Sequence, residues 1–375
     1  MLPLVTPSAR LAAAIELLAV LEAQCFAPDA RRRPADAVAS DFFRARRFIG
    51  GGDRRSIAEW VWGAVRQRLR LIWNLSRLPA EPTPRLLLLT YLVLVARWTE
   101  ADIGRGFSGE RYGAAPLNGA EARAVRIMAG RTLLHADMPD SVRFNLPEWL
   151  LADFQARFGA TLAEEAAAME QPAALDLRAN LLRGTREEAA AALMAEGIAT
   201  EATSFSPWGL RVPSRRPVTG TAAFKAGLIE VQDEGSQLLC ALTNPKRGEM
   251  VADFCAGAGG KTLALGASMR NTGRLYAFDT SAHRLDALKP RLARSGLSNI
   301  HPVAIAHERD ERIKRLRGKM DRVLVDAPCT GLGTLRRNPD LKWRQTPDAV
   351  AELSVKQTDI LASAARLLKS GGRLV

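Results

Sequence analysis

Asp253-Phe254-Cys255-Ala256-Gly257-Ala258-Gly259-Gly260-Lys261-Thr262 follows the apolar residues Val251 and Ala252. The stretch reads as a strand, a glycine turn and the first residues of a helix. Glycine has no Cβ, so such a turn lets a ligand come close to the backbone. The helix that opens at Lys261-Thr262 directs its free N–H groups at that ligand. The glycines are not spaced as GxGxxG, and a P-loop would need glycine where Cys255 stands. The competing reading is a helix-start turn that holds nothing.

The pattern around this turn alternates. Apolar segments at 250–254, 274–278, 301–306, 322–325 and 373–375 predict strands, and 261–269, 281–295 and 349–369 predict helices. Strand–helix alternation of this kind specifies a doubly wound parallel sheet. Pro290 argues against an unbroken second helix. Asp279 ends the second strand, where a carboxylate can hold both hydroxyls of a ribose. Asp326-Ala327-Pro328-Cys329 closes the apolar run 322–325. A carboxylate and a thiol are thereby expected at the carboxyl ends of the strands, where such sheets bind ligands.

The chain has 375 residues, too many for one ordinary domain. Hydrophobic residues make up 47% and charged residues 25%, the balance of a soluble globular protein. The helical periodicity of Leu11, Ile15, Leu18 and Leu21, and of Ile57, Val61, Val65, Leu69 and Ile72, marks 1–140 as an all-helical domain. Pro79, Pro82 and Pro84 break one connection, and 104–119 reads as a loop. Residues 141–220 read as a small α+β module with a strand at 175–180. There Thr185 and Glu188 form a capping box for a helix that Gly197 ends. The sheet domain is expected to occupy 221–375.

The net charge of +13 favours a polyanionic partner. It is clustered: residues 31–70 hold eleven Arg against four acids, and 311–344 hold ten Lys and Arg against four acids. The four cysteines, Cys25, Cys240, Cys255 and Cys329, form no CxxC pair, so neither a metal site nor a disulfide framework is expected. Residues 1–7 do not read as a secretory signal, and the apolar run 86–96 is too short for a bilayer. A cytoplasmic protein with no membrane partner is the expectation.

A thiol beside a carboxylate suits pyrimidine chemistry. The C5 of cytosine is a poor nucleophile until a thiolate adds to C6 and makes C5 enamine-like. Asp326 can hold the cytosine edge while charge builds on the ring. Cys329 is the candidate thiol; a buried structural cysteine is the bland alternative. Arg336, Arg337, Lys342, Trp343 and Arg344 follow, and cations around an aromatic suit phosphate contact with base stacking. A plain surface loop is the alternative there.

These residues resemble the Sun/Fmu/RsmB family of ribosomal-RNA cytosine-C5 methyltransferases. The resemblance rests on 256–262, on Asp326–Cys329 with its glycine-rich tail, on Arg337-Asn338-Pro339-Asp340-Leu341-Lys342-Trp343, and on the lead-in segments 224–227 and 231–238. It implies S-adenosyl-L-methionine as methyl donor, RNA as substrate, a Rossmann-like methyltransferase sheet, a NusB-like RNA-binding helical domain and an RRM-like middle module. It places Cys255, Ala256, Gly257, Ala258, Gly259, Gly260 and Lys261 around the donor, Asp279 on its ribose, and Asp326 near both donor and base. His307 with Glu308 stands where the family carries an acidic residue near the adenine. The family's attacking thiol lies in a Thr-Cys motif just past 372–375, so the sequence is expected to be a truncated version of a longer enzyme. By resemblance Cys329 then assists product release; direct attack by Cys329 stays open, as does a non-catalytic RNA-binding factor that kept the fold. With charge clustered in this way, affinity for an RNA fragment is expected to fall steeply as salt rises from roughly 50 to 200 mM. A flat response in a filter-binding titration would count against any nucleic-acid partner.

Overall fold

The computed structural model describes residues 6–26, 33–78, 81–213 and 216–375. Residues 1–5, Arg31, Arg32 and Pro79 lie outside them. The chain forms two compact units, Met1–Pro172 with Thr330–Ala349, and Ala173–Cys329 with Val350–Val375.

The first unit is helical. Pro7–Leu21 starts where Thr6 accepts a hydrogen bond from Ala9 N at 3.2 Å. Its residues Leu11, Leu17, Leu18 and Leu21 share a core with Ile57, Val61 and Val65 of the helix Gly51–Arg66. The helix Pro84–Leu94 is buried all round, from Leu86 to Leu94, and so forms the centre of the unit. A Cβ at Gly63 would lie 2.2 Å from Tyr91 Oη, so glycine is what lets these two helices approach. The expected loop at 104–119 begins instead inside a helix, Glu100–Gly106, because Thr99 and Asp102 cap it reciprocally at 3.2 and 2.9 Å.

Residues 330–349 belong to this helical unit rather than to the sheet domain expected at 221–375. The short helix Leu341–Arg344 is held by side chains that the sequence analysis assigned to RNA. Lys342 is buried, and its Nζ donates to Asn145 O at 2.7 Å. Burial pushes its ammonium down to about 8. Trp343 is half-buried, with its Nε1 enclosed and Arg68 over its ring. Arg344 pairs with Asp340 at 3.1 Å, and Asp340 in turn accepts from Ala35 N. Arg336 is exposed but donates to the carbonyls of Gln171 and Pro172. Lys342, Trp343 and Arg344 are therefore structural here, a correction to the expected RNA-facing set; Arg336 and Arg337 keep exposed positions.

The second unit holds two sheets. Strands β1 (Leu175–Ala179), β2 (Glu201–Ala202), β3 (Gly209–Val212) and β4 (Ile229–Val231) form an antiparallel sheet in the order β2-β3-β1-β4. With the helices Arg186–Ala195 and Ala222–Lys225 the order is β-α-β-β-α-β, a ferredoxin-like arrangement. The capping box at Thr185 and Glu188 is present, at 3.1 and 2.7 Å. β4 lies beyond the boundary expected at 220.

Strands β5 (Met250–Asp253), β6 (Arg274–Asp279), β7 (Ile300–Ala304), β8 (Met320–Leu324) and β9 (Leu368–Leu374) form a parallel sheet in the order β7-β6-β5-β8-β9. Alternate residues serve the two faces. Val251, Leu275 and Ala277 pack with Leu263, Leu285 and Leu288, while Ala252 and Phe278 pack with Ile313, Ile360 and Ala364. Ala282–Ser295 is one continuous helix despite Pro290, its Leu285 and Leu288 facing inward. The last helix, Pro347–Ala365, ends earlier than expected, and β9 starts at 368 with an irregularity opposite Met320/Arg322. Gly371, at φ 77°, supplies the left-handed residue there.

Replacing Lys342 by Ala strips Asn145 O of a buried donor. The expected loss is about 1–3 kcal/mol in urea unfolding, with the salt dependence of RNA binding unchanged. Unaltered stability with a salt slope shallower by roughly one unit would return Lys342 to the RNA-facing set.

Candidate active site

A cleft of about 750 Å³ opens at the carboxyl ends of β5, β6 and β8. β5 enters it with Asp253, which is fully buried and accepts from Thr262 Oγ1 at 2.7 Å. Its other oxygen is buried without a partner. Burial is the main reason that its carboxyl is pushed up to about 6. The chain then turns at Gly257 (φ 55°) and Gly259 (φ 81°) into the helix Gly260–Ser268. A Cβ at Gly259 would stand 2.1 Å from Leu288 Cδ1. Glycine is therefore demanded there by backbone conformation and by packing together.

Asp279 closes β6 and is nearly buried. Its Oδ2 accepts from Gly257 N at 2.8 Å and its Oδ1 from Ser281 N at 2.7 Å, which fixes the carboxylate and the turn to one another. After β8, Asp326 reaches back across the sheet. Its Oδ2 lies 2.6 Å from Lys261 Nζ, with the lysine largely covered and the aspartate half exposed. Cys329 is exposed at the same mouth, and Gln357 Nε2 holds Pro328 O at 2.8 Å. Cys255 is half-buried, and burial pushes its thiol up to about 12, so it stays protonated at neutral pH.

Of the residues expected around a donor, Cys255, Ala256, Gly257, Ala258, Gly260, Lys261, Asp279 and Asp326 line the cleft, as does Cys329. Gly259 does not; it faces Leu288. Glu308 lines the cleft and His307 does not, so the carboxylate is the member of that pair at the site. Gln232, Asp233 and Ser236 also line it, from the end of β4 and the helix Glu234–Thr243. Their signal was the segment 231–238, quoted only as a lead-in. Arg284 and Lys356 were missed because nothing local marks a helix-surface cation as cleft-facing.

The donor set fits a cationic ligand that carries a ribose. Five carboxylates (Asp233, Asp253, Asp279, Glu308, Asp326) and three cations (Lys261, Arg284, Lys356) line the cleft, an excess of acid, and one buried carboxylate oxygen lacks a partner. That arrangement suits an ammonium and a sulfonium centre and disfavours a polyphosphate. Among the described residues, no helix is long and apolar enough to cross a membrane.

Comparison with known proteins agrees with this geometry. A family model described as 16S rRNA methyltransferase RsmB/F matches residues 240–375. A second, the RsmF/B-like ferredoxin-like domain, matches 146–219. A probable ribosomal RNA small subunit methyltransferase B from Synechocystis is 32% identical over 92% of this chain and 81% of its own. The solved structure of PH0851 superposes on 100% of this chain and 86% of that one, with TM-score 0.75 at 23% identity, which shows the fold. A methyltransferase homologue from Pyrococcus horikoshii is 30% identical, with TM-score 0.57 over 64% of this chain and 76% of that one.

Asp253 also sets a pH dependence. Its folded value of about 6 lies above the ordinary 3.8. Between these values the fold holds a proton that the unfolded chain has released, so this residue's contribution falls as pH rises through 6. Asp253→Asn does not titrate. Its stability relative to the parent is expected to climb between pH 4.5 and 7.5, by about 2 kcal/mol, in paired urea unfolding curves. A difference that stays constant with pH would show that Asp253 is ionised throughout.

Proposed function

The chain belongs to the RsmB/F family of S-adenosylmethionine-dependent methyltransferases, and on that premise we propose that it methylates C5 of cytosine in ribosomal RNA. The observation that carries this reading is the Lys261–Asp326 pair at 2.6 Å, on the floor shared by the glycine turn and the exposed Cys329. S-adenosylmethionine supplies an electrophilic methyl group on a sulfonium. In this reading Asp279 holds the ribose, and the carboxylates Asp233 and Asp253 face the amino-acid end.

Asp326 meets the Watson–Crick edge of the base. Lys261, at 2.6 Å, fixes its orientation before the base arrives. A thiolate would add to C6 and place the electron pair at C5, and C5 would take the methyl group as its bond to the sulfonium breaks and leaves a neutral thioether. Transfer of the C5 proton to a base, with the electron pair of that bond expelling the thiolate from C6, would restore the aromatic ring. We assign Cys329 to that release step, in line with the family resemblance. Its exposure at the cleft mouth supports a second reading, in which Cys329 attacks C6 itself.

The test incubates the protein with ribosomal RNA and methyl-labelled S-adenosylmethionine, followed by bisulfite sequencing. The expected product is 5-methylcytosine, lost by roughly 100-fold or more in Asp326→Asn. Label on a ribose or on another base would overturn the assignment. On a denaturing gel, in a chain long enough to contain both thiols, Cys329→Ala accumulates a protein–RNA adduct if Cys329 serves release, and forms none if it attacks.

A further inference from the structure

The small antiparallel sheet reaches the cofactor turn through two arginines. Arg178, on β1, is only 2% exposed. Its Nη1 donates to Gly260 O at 2.8 Å and also to the Gln232 side chain. Arg291, on the helix Ala282–Ser295, donates from Nη1 to Ala258 O at 2.6 Å. Its Nη2 pairs at 3.0 Å with Glu230 of β4, which is 3% exposed and also pairs with Arg294. The carbonyls on either side of Gly259 are thus each held by a guanidinium, and both guanidinia are anchored on residues of the small sheet.

That matters because a trans peptide points its C=O and N–H in opposite directions. Drawing Gly260 O toward Arg178 turns Lys261 N–H away from the small sheet. It also fixes the backbone from which Lys261 extends to Asp326. The turn needs such support, since Gly259 caps the helix with no side-chain hydrogen bond. Three glycines close together would otherwise leave the turn many conformations. Gln232, the partner of Arg178, itself lines the cleft.

We propose that Arg178 and Arg291 are positioning residues for the methyl-donor turn, and that the ferredoxin-like sheet is a structural part of the donor site. The proposal rests on the placement of S-adenosylmethionine in this cleft. It assigns the small sheet a task independent of RNA recognition.

Calorimetric titration of the full chain with S-adenosylmethionine tests it, using Arg291→Met, Arg178→Met, Arg178→Lys and Asp279→Ala. Arg291→Met leaves Glu230 paired with Arg294, so it keeps the inference testable should Arg178→Met fail to fold. Expected are roughly ten- to hundredfold weaker donor binding in folded Arg291→Met and Arg178→Met, partial recovery in Arg178→Lys, and parental affinity for RNA. Circular dichroism and melting curves establish folding. Parental donor affinity in folded Arg291→Met would overturn the proposal, as would an equal loss of RNA affinity. If Asp279→Ala binds like the parent, it is the location of the donor that fails instead.

Discussion

Strand order reverses between β5 and β8, and every chemical feature of the second unit depends on that reversal. The helices after β5 and β6 share a core on one face of the sheet, and those after β7 and β8 share a core on the other. Chain leaving β5 and chain leaving β8 therefore diverge, and a crevice is left over their ends. Into it run two segments that carry opposite charges, the first turn of the helix Gly260–Ser268 with Lys261 and the loop after β8 with Asp326. Their contact at 2.6 Å closes the floor of the cleft and ties its two sides together.

The charges around that floor are arranged by burial as much as by contact. Asp253 sits too deep to ionise readily, whereas Asp326 is half exposed and beside an ammonium. Two carboxylates at the carboxyl ends of neighbouring strands thus differ in their surroundings. In the proposed reading, one faces the cationic donor and the other meets the base that arrives from solvent. The thiols divide in the same way. Cys255 is held protonated by its surroundings, and Cys329 stands at the open rim.

How much of this the sequence disclosed follows from the range over which each feature is determined. The glycine turn, Asp279 and Asp326 were legible because strand, turn and helix are set by adjacent residues. The helix Glu100–Gly106 carried an equally local signal in Thr99 and Asp102, and it was passed over in favour of the glycines around it. Lys342 was read as RNA-facing because its neighbours are basic and aromatic. Its true partner, the carbonyl of Asn145, lies 197 residues away, and no local pattern encodes it. β4 was cut off by a boundary drawn at prolines and a glycine, because pairing of 229–231 with β1 is invisible to composition.

The buried ion pairs of the small sheet belong to the same class of long-range feature, and they bear on why the two sheets share one unit. An isolated Glu230 or Arg178 at this depth would be costly to ionise. Each is tolerable because its partners come from the other sheet's loops and helices. Glu230 meets Arg291 and Arg294, and Arg178 meets Gly260 O. Removing one partner while the sheets stay packed would leave a buried charge uncompensated. Apolar packing alone would permit sliding between them, whereas directional bonds to the two carbonyls beside Gly259 admit a single register. Geometry that precise is what a methyl transfer needs, since the donor carbon and the accepting ring must meet within about 3–3.5 Å in line.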